Sequence, residues 1–351
     1  MARKNLDSTF SQQAFFGIVF AFFGMVCCAT AFSQPISTNK LTMQPTNPLL
    51  CDPYSGICAL PAASAPNLPN QEIRSGNKLR IVYFTDPICS SCWGIEPQLR
   101  RLKLEYGHAV KLEYRMGGLL PDWNYNRGGI SKPSDVAHHW DEVSAYYQMP
   151  IDGDVWLEDP LHSSYPPSIA FKAAQLQDPK KALAFLRRIR EMVFLEKKNI
   201  TKWEHLQAAA VECGLNPLQL RSDYENFGKQ HFEEDLALAR KMGVRGFPTL
   251  FLFDQQNQYK ILYGFKPYSA LEELLLMIQP SIQKAAYSRE LTDLFHEFPT
   301  LTSREFAELS GHPVETAVEL LEKAVQSGIL QKQGSKNGSI WKSISISAPE
   351  N

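Results

Sequence analysis

The chain has 351 residues, 44% hydrophobic and 21% charged, with a net charge of −1, the make-up of an ordinary globular protein with room for two domains. That balance excludes a global basic field for nucleic acid or anionic lipid. The size excludes a disulfide-stapled mini-protein, so the C-x-x-C pair Cys89/Cys92 among the seven cysteines points to redox or metal chemistry.

Residues 1–32 read as a signal peptide or membrane anchor. Ala14 to Phe32 is apolar and uncharged, Arg3 and Lys4 precede it, and Ala29-Thr30-Ala31 offers a small-x-small cleavage site. Uncleaved, residues 14–32 are just long enough to span a bilayer. Cys27 is a poor lipid-attachment site, because Val26 before it is not small. A rival reading starts the protein at Met43 and makes the apolar run a gene-model artefact. The first reading predicts a periplasmic or membrane-anchored protein, the second a cytoplasmic one. Residues 33–77, rich in Pro, Ser, Asn and Ala and without period, read as an irregular arm carrying Cys51 and Cys58.

The pattern then sharpens. Leu79–Thr85 is a β-rich run, Cys89 to Tyr106 has helical spacing stopped by Gly107 and kinked by Pro97, and Val110–Met116 alternates as a strand. The connection suits a right-handed parallel crossover. Helical spacing follows over Ser134–Tyr147, Pro167–Gln177, Pro179–Lys198, Lys202–Cys213 and Pro217–Met242. Two β-like runs, Thr249–Phe253 and Tyr259–Tyr263, precede a helix over Glu272–Ile278. Residues 288–345 look separate: helices over Ser288–Phe298, Ser303–Leu309 and Pro313–Val325, with a turn at Ala307–Gly311, then Ile329–Gln333 and Ser339–Ser343 as a small wing. Its third helix carries Glu315, Glu319 and Glu322 against Lys323, which opposes phosphate, so protein contact or packing is favoured and no nucleic acid is expected.

Cys89-Ser90-Ser91-Cys92 follows a strand and opens a helix. A sulfur there meets unpaired N–H groups and the positive end of the helix dipole, both of which favour the nucleophilic thiolate. Two intervening residues put the second sulfur one turn on, where it can resolve a mixed disulfide. Cys89, at the expected exposed end, should attack and Cys92 should resolve. A four-cysteine zinc site with Cys51 and Cys58 is disfavoured, since six residues separate that pair where structural zinc usually takes roughly two to four. No metal and no cofactor beyond the dithiol are expected. Gly246-Phe247-Pro248-Thr249 stands just before a strand, where a cis proline is permitted.

Thr85-Asp-Pro-Ile-Cys-Ser-Ser-Cys-Trp-Gly94, with Gly243-Val-Arg-Gly-Phe-Pro-Thr249, resembles the DsbA-type thioredoxin-fold proteins, and more narrowly the FrnE group and the YjbH (SpxH) adaptors, over about residues 79–280. The resemblance implies that Cys89 is the nucleophile, Cys92 the resolving thiol and Pro248 a cis proline facing them. It also implies that a substrate chain pairs with the backbone at Phe247. FrnE relatives include proteins thought to isomerise or reduce disulfides inside cells. The YjbH adaptors deliver a transcription regulator to the ClpXP protease. The appended C-terminal module and the Ser-Ser between the cysteines depart from exported DsbA proteins and weigh against a simple periplasmic oxidase.

The remaining features carry blander readings. Cys51 and Cys58 are a shuttle disulfide for Cys89/Cys92, a structural clasp on the arm, or plain thiols in a reducing compartment; a non-catalytic role is favoured, since no strand–helix start activates them. His138-His139 with Asp135, Asp141 and Glu142 reads as a solvated face, because adjacent histidines on a helix diverge. Cys213 beside Gly214 reads as core. Lys180, Lys181, Arg187, Arg188, Arg190, Lys197 and Lys198 read as a solvated basic helix.

The expected architecture is an α/β thioredoxin-like domain over residues 78–283 with a helical insertion, followed by a small winged-helix-like domain over 288–345. The expected function is thiol–disulfide oxidoreductase or isomerase activity on protein disulfides, with a redox partner that resets the dithiol. The alternative is a cytosolic YjbH-like protease adaptor or redox-sensing binding protein.

Overall fold

The computed structural model describes residues 51–52, 56–59, 78–125 and 132–344, all within one compact unit. The apolar run at 14–32, its cleavage site and Met43 lie outside the described residues. Among those described, no helix is long and apolar enough to cross a membrane.

Elements run in the order β1 (Cys51–Asp52), β2 (Ile57–Ala59), β3 (Leu79–Thr85), α1 (Ser90–Gly94), α2 (Glu96–Tyr106), β4 (Val110–Met116) and α3 (Pro133–Tyr147). They continue with α4 (Val155–Glu158), α5 (Tyr165–Gln177), α6 (Pro179–Leu195), α7 (Trp203–Glu212), α8 (Pro217–Asp223), α9 (Lys229–Lys241), β5 (Gly246–Phe247), β6 (Thr249–Phe253), β7 (Tyr259–Tyr263) and α10 (Tyr268–Ile278). The C-terminal module comprises α11 (Leu291–Glu297), β8 (Thr300–Thr302), α12 (Ser303–Ser310), α13 (Val314–Gln326), β9 (Leu330–Ser335) and β10 (Gly338–Ser343).

The central sheet has the order β4-β3-β6-β7, with β3 parallel to β4 and antiparallel to β6. Every residue of β3 is buried, which is why the β-rich run Leu79–Thr85 does not alternate; its one charged residue, Arg80, pairs with Glu113 at 3.3 Å. Strand periodicity divides its side chains between two cores. Val82 and Phe84 face the core shared with the helical insertion, and Ile81 and Tyr83 face the one built with α2 and α10. The expected strand–helix–strand and strand–strand–helix halves are both present.

Two helices differ from their sequence reading. The helix expected from Cys89 to Tyr106 breaks at Ile95 into α1 and α2, with Pro97 in the first turn of α2, where its missing N–H costs nothing. The helix expected over Pro217–Met242 divides at a π turn, Tyr224–Gly228. That turn shifts the helical phase, and α9 beyond it buries Phe232 and Asp235.

The basic helix is solvated at its start, where Lys180 and Lys181 are exposed, but its arginines are not. Arg190 is 1% exposed, Arg187 forms a two-pronged pair with Glu305 at 2.7 and 3.0 Å, and Arg188 grips Glu196 at 2.6 and 3.1 Å. Buried guanidinium groups persist because planar forks satisfy carboxylates within the fold. His138 pairs with Glu142 at 3.1 Å, while His139 is buried.

In the C-terminal module the sheet order is β8-β10-β9, all antiparallel. β8 was not legible as a strand. The module has its own apolar core around Phe306, Leu309, Leu321 and Trp341, yet it is joined to the thioredoxin-like body by buried charge. Glu305, fully buried, closes the capping box of α12 with Thr302 and also pairs with Arg100 and Arg187.

Candidate redox site

The turn after β3 is built by Asp86. Its Oδ1 accepts the Ile88 N–H at 3.0 Å, and its Oδ2 accepts the Leu119 N–H and the Ser164 hydroxyl, each at 2.8 Å. Burial pushes the Asp86 carboxyl up to about 6 against these stabilising bonds. The turn delivers Cys89 to the N-cap of α1, where its Sγ accepts the Cys92 N–H at 3.1 Å. The two-residue spacing thus lets the Cys89 sulfur cap the helix that carries Cys92.

The surroundings of the two sulfurs differ. Arg190 donates to Thr85 Oγ1 at 2.6 Å and to the Asp86 carbonyl at 3.3 Å, and it pairs with Glu96 at 2.5 Å. The cation lies on the Cys92 side. Burial raises the Cys92 thiol, but a hydrogen bond from Cys89, the charge of Arg190 and the Thr85 and Tyr83 hydroxyls outweigh it and lower the thiol below its ordinary value. Cys89 goes the other way: burial, its bond to Cys92 and the nearby Asp86 push it well up. Trp93 is buried beside the pair, donating to the Pro150 carbonyl at 3.0 Å, with the Arg187 guanidinium 4.3 Å from its ring centre.

Cys89 is not at an exposed end; it is 0% exposed. Its cover is the arm, which the sequence reading took as irregular. β1 and β2 form a short antiparallel pair with Cys51 opposite Cys58, and β2 then pairs antiparallel with β5, setting Cys58 opposite Phe247 and Ala59 opposite Gly246. Phe247 is followed by a cis bond to Pro248. Thus the position where the family resemblance expects a substrate chain holds the protein's own arm. Cys58 Sγ lies 3.3 Å from Cys89 Sγ and 3.4 Å from Ser91 Oγ. Cys58 is disulfide-bonded, whereas Cys89, Cys92 and Cys213 are free. Cys213 is half-buried, and burial pushes its thiol up to about 11.

Two glycines make this seat. Gly56 has φ +66°, and a Cβ there would stand 2.6 Å from the Phe265 amide nitrogen. That close approach lets the Gly56 carbonyl accept the Phe265 N–H at 2.7 Å. At Gly117 a Cβ would fall within 1.8 Å of the Phe247 ring, so only glycine leaves that ring its place. Beneath the arm, Ser91 Oγ and Tyr147 OH are 2.7 Å apart. The Ser-Gly between Cys51 and Cys58 is a local signal that could have announced the hairpin, which the arm's composition hides. Arg190, Tyr147 and Glu305 announce nothing in sequence, because their partners are remote.

Strand, tight turn, buried dithiol at a helix start and cis proline before the next strand define a thioredoxin-fold protein. A family model described as Thioredoxin matches residues 83–273. The ClpXP adapter protein SpxH of Halalkalibacterium halodurans is 32% identical over 83% of this chain and 96% of its own length. SpxH of Bacillus subtilis is 30% identical over 78% of this chain and 91% of its own. Among solved structures, a putative protein disulfide isomerase from Nitrosomonas europaea shares the fold with a TM-score of 0.51 at 22% identity, over 57% of this chain and 97% of that one. The chain belongs to the thioredoxin family, in the group of the SpxH proteins.

Proposed function

We propose that the protein is a protease adapter of the SpxH kind, a thioredoxin-fold body that binds client proteins for ClpXP. The observation that carries this reading over a free-running oxidoreductase is the occupied groove. Both sulfurs of the Cys89/Cys92 pair are 0% exposed, and the backbone at Phe247 is already paired with the arm. An enzyme that turns over protein disulfides needs its nucleophilic thiolate open to solvent and a vacant strand position. The similarity to proteins named as ClpXP adapters, over most of both chains, supports the same reading. The partners are then client proteins and the protease, the compartment is the cytoplasm, and the C-terminal module is a winged-helix-like packing and contact domain.

Oxidoreductase action is the second reading. It rests on Cys89 as N-cap of α1 with Cys92 one turn on, and it requires the arm to leave. Protein half-lives in cells distinguish the two. For an adapter, proteins that persist when the gene is deleted become short-lived again on complementation with the Cys89→Ser/Cys92→Ser double variant, and purified wild type is slow in insulin reduction. Restoration that demands both cysteines, together with rapid insulin reduction, would overturn the adapter reading in favour of the enzyme.

A further inference from the structure

We infer that Cys58 is an internal redox partner of Cys89, and that the arm's disulfide and the Cys89/Cys92 dithiol exchange electrons within one chain. This goes beyond the adapter reading and does not depend on it. Three observations carry it.

The redox states are complementary: Cys58 is in a disulfide while Cys89 and Cys92 are thiols. The strand register sets Cys51 opposite Cys58. Directly opposed antiparallel residues have Cα atoms about 4.5–5.5 Å apart, inside the roughly 4.4–6.8 Å that a disulfide accepts, which assigns Cys51 as the partner. Next, the reacting atoms are in place. Cys89 Sγ and Cys58 Sγ are 3.3 Å apart, within the roughly 3–3.5 Å of a near-attack arrangement. Finally, the seat is built for a strand. Pairing at Phe247 and Gly246 and the Gly56–Phe265 bond hold β2 from both ends, as β-augmentation holds an extended peptide.

The exchange balances without an outside oxidant. The Cys89 thiol gives up its proton and its sulfur attacks Cys58 Sγ. A Cys58–Cys89 bond forms, the Cys51–Cys58 bond breaks, and its electron pair leaves on the Cys51 sulfur, which takes a proton. Cys92 then loses its proton and attacks Cys89 Sγ. A Cys89–Cys92 disulfide forms and Cys58 departs as a thiol. The arm pair gains two electrons and the dithiol loses two. The reduced hairpin has lost its cross-link and is freer to leave the seat, which opens the strand position at Phe247 to another extended chain. The arm is in this sense a pseudosubstrate whose release is set by its own redox state.

The test is disulfide mapping of the full-length protein, quenched in acid, alkylated and digested without reductant. In the Cys92→Ser variant a peptide linking Cys58 to Cys89 is expected, with Cys51 alkylated. In wild type brought to a single disulfide at about pH 8, above neutrality so that a larger share of each thiol is ionised, both the Cys51–Cys58 and Cys89–Cys92 forms are expected. They should interconvert at a rate unchanged on dilution and at least roughly 10²-fold faster than exchange with millimolar glutathione, the advantage of held geometry. Persistence of Cys51–Cys58 alone in wild type, with Cys89 alkylated in both proteins, would overturn the inference. The wild-type arm keeps the test decisive if Cys92→Ser misfolds. Disulfide connectivity does not move with client delivery, so failure here and failure of the adapter reading are separate results.

Discussion

Two segments are docked on the same thioredoxin-like body, and they are held by different physics. The C-terminal module is fastened by charge in a dry setting: Glu305 at 0% exposure between Arg100 and Arg187, with Arg100 also donating to the Thr300 carbonyl at 2.7 Å. Among the described residues, what is seen to hold the arm is backbone hydrogen bonding, one glycine turn and a sulfur contact. Removing one partner of a buried ion pair strands a charge and costs about 3–5 kcal/mol. A net backbone hydrogen bond contributes only about 1 kcal/mol. The module is a permanent part of the body, and the arm is built to be exchanged.

The largest effect should come from breaking the permanent joint. Glu305→Gln leaves Arg100 and Arg187 without their shared carboxylate, and about 3 kcal/mol or more of stability should disappear, read by chemical denaturation. Acid probes the same joint more gently. Burial works against ionisation of Glu305, but Arg100 and Arg187 outweigh it and hold the carboxyl below its ordinary 4.5. A depressed folded value means that this stabilisation is complete above about pH 4.5 and is lost as pH falls towards the folded value. Protection from hydrogen exchange at residues 300–310, taken relative to the intrinsic rate at each pH, should therefore fall below about pH 4, before the central strand β3 opens. Simultaneous opening of both regions would erase the distinction between a joint and a core.

Smaller changes should free the arm. Gly56→Ala forces a side chain into a left-handed backbone and against Phe265, a strain of about 1–3 kcal/mol, so alkylation of Cys89 by iodoacetamide should quicken about tenfold or more with global stability little altered. An unchanged rate would mean that the arm does not shield the sulfur. In wild type the Cys89 thiol is pushed well above its ordinary 9.0, chiefly by burial. Its alkylation rate should still climb about tenfold per pH unit from neutrality to pH 9, because only the thiolate reacts. A plateau below neutrality would contradict that. The smallest effect is expected for Tyr147→Phe, which removes one hydroxyl from Ser91 and costs about 1 kcal/mol, with Cys89 alkylation changing less than in Gly56→Ala.

The body was legible in sequence where short-range signals govern it. The β-rich run Leu79–Thr85, alternating Val110–Met116 and the β-like run Thr249–Phe253 marked three of the four central strands, with Tyr259–Tyr263 as the fourth, and the placement of Cys89/Cys92 after a strand predicted the helix start. What escaped was non-local. Cys58 meets Cys89 across 31 residues through a two-strand arm whose composition is that of a linker. The exposure expected of Cys89 failed for the same reason, since a helix start is open only until another segment covers it. Arg187 and Arg190 read as solvated because their partners Glu305 and Glu96 lie 118 and 94 residues away. Charge patterning along one helix carries no information about carboxylates brought in by others.

The pairing of β2 on β5 has one more consequence, for colloidal behaviour. With Cys58 and Ala59 in place, the backbone of Gly246–Phe247 is matched by the chain itself. A chain whose hairpin has left presents an unpaired strand rim, the kind of template on which identical molecules zip together. Self-association of the reduced protein should then rise with concentration, and the arm doubles as a guard against it.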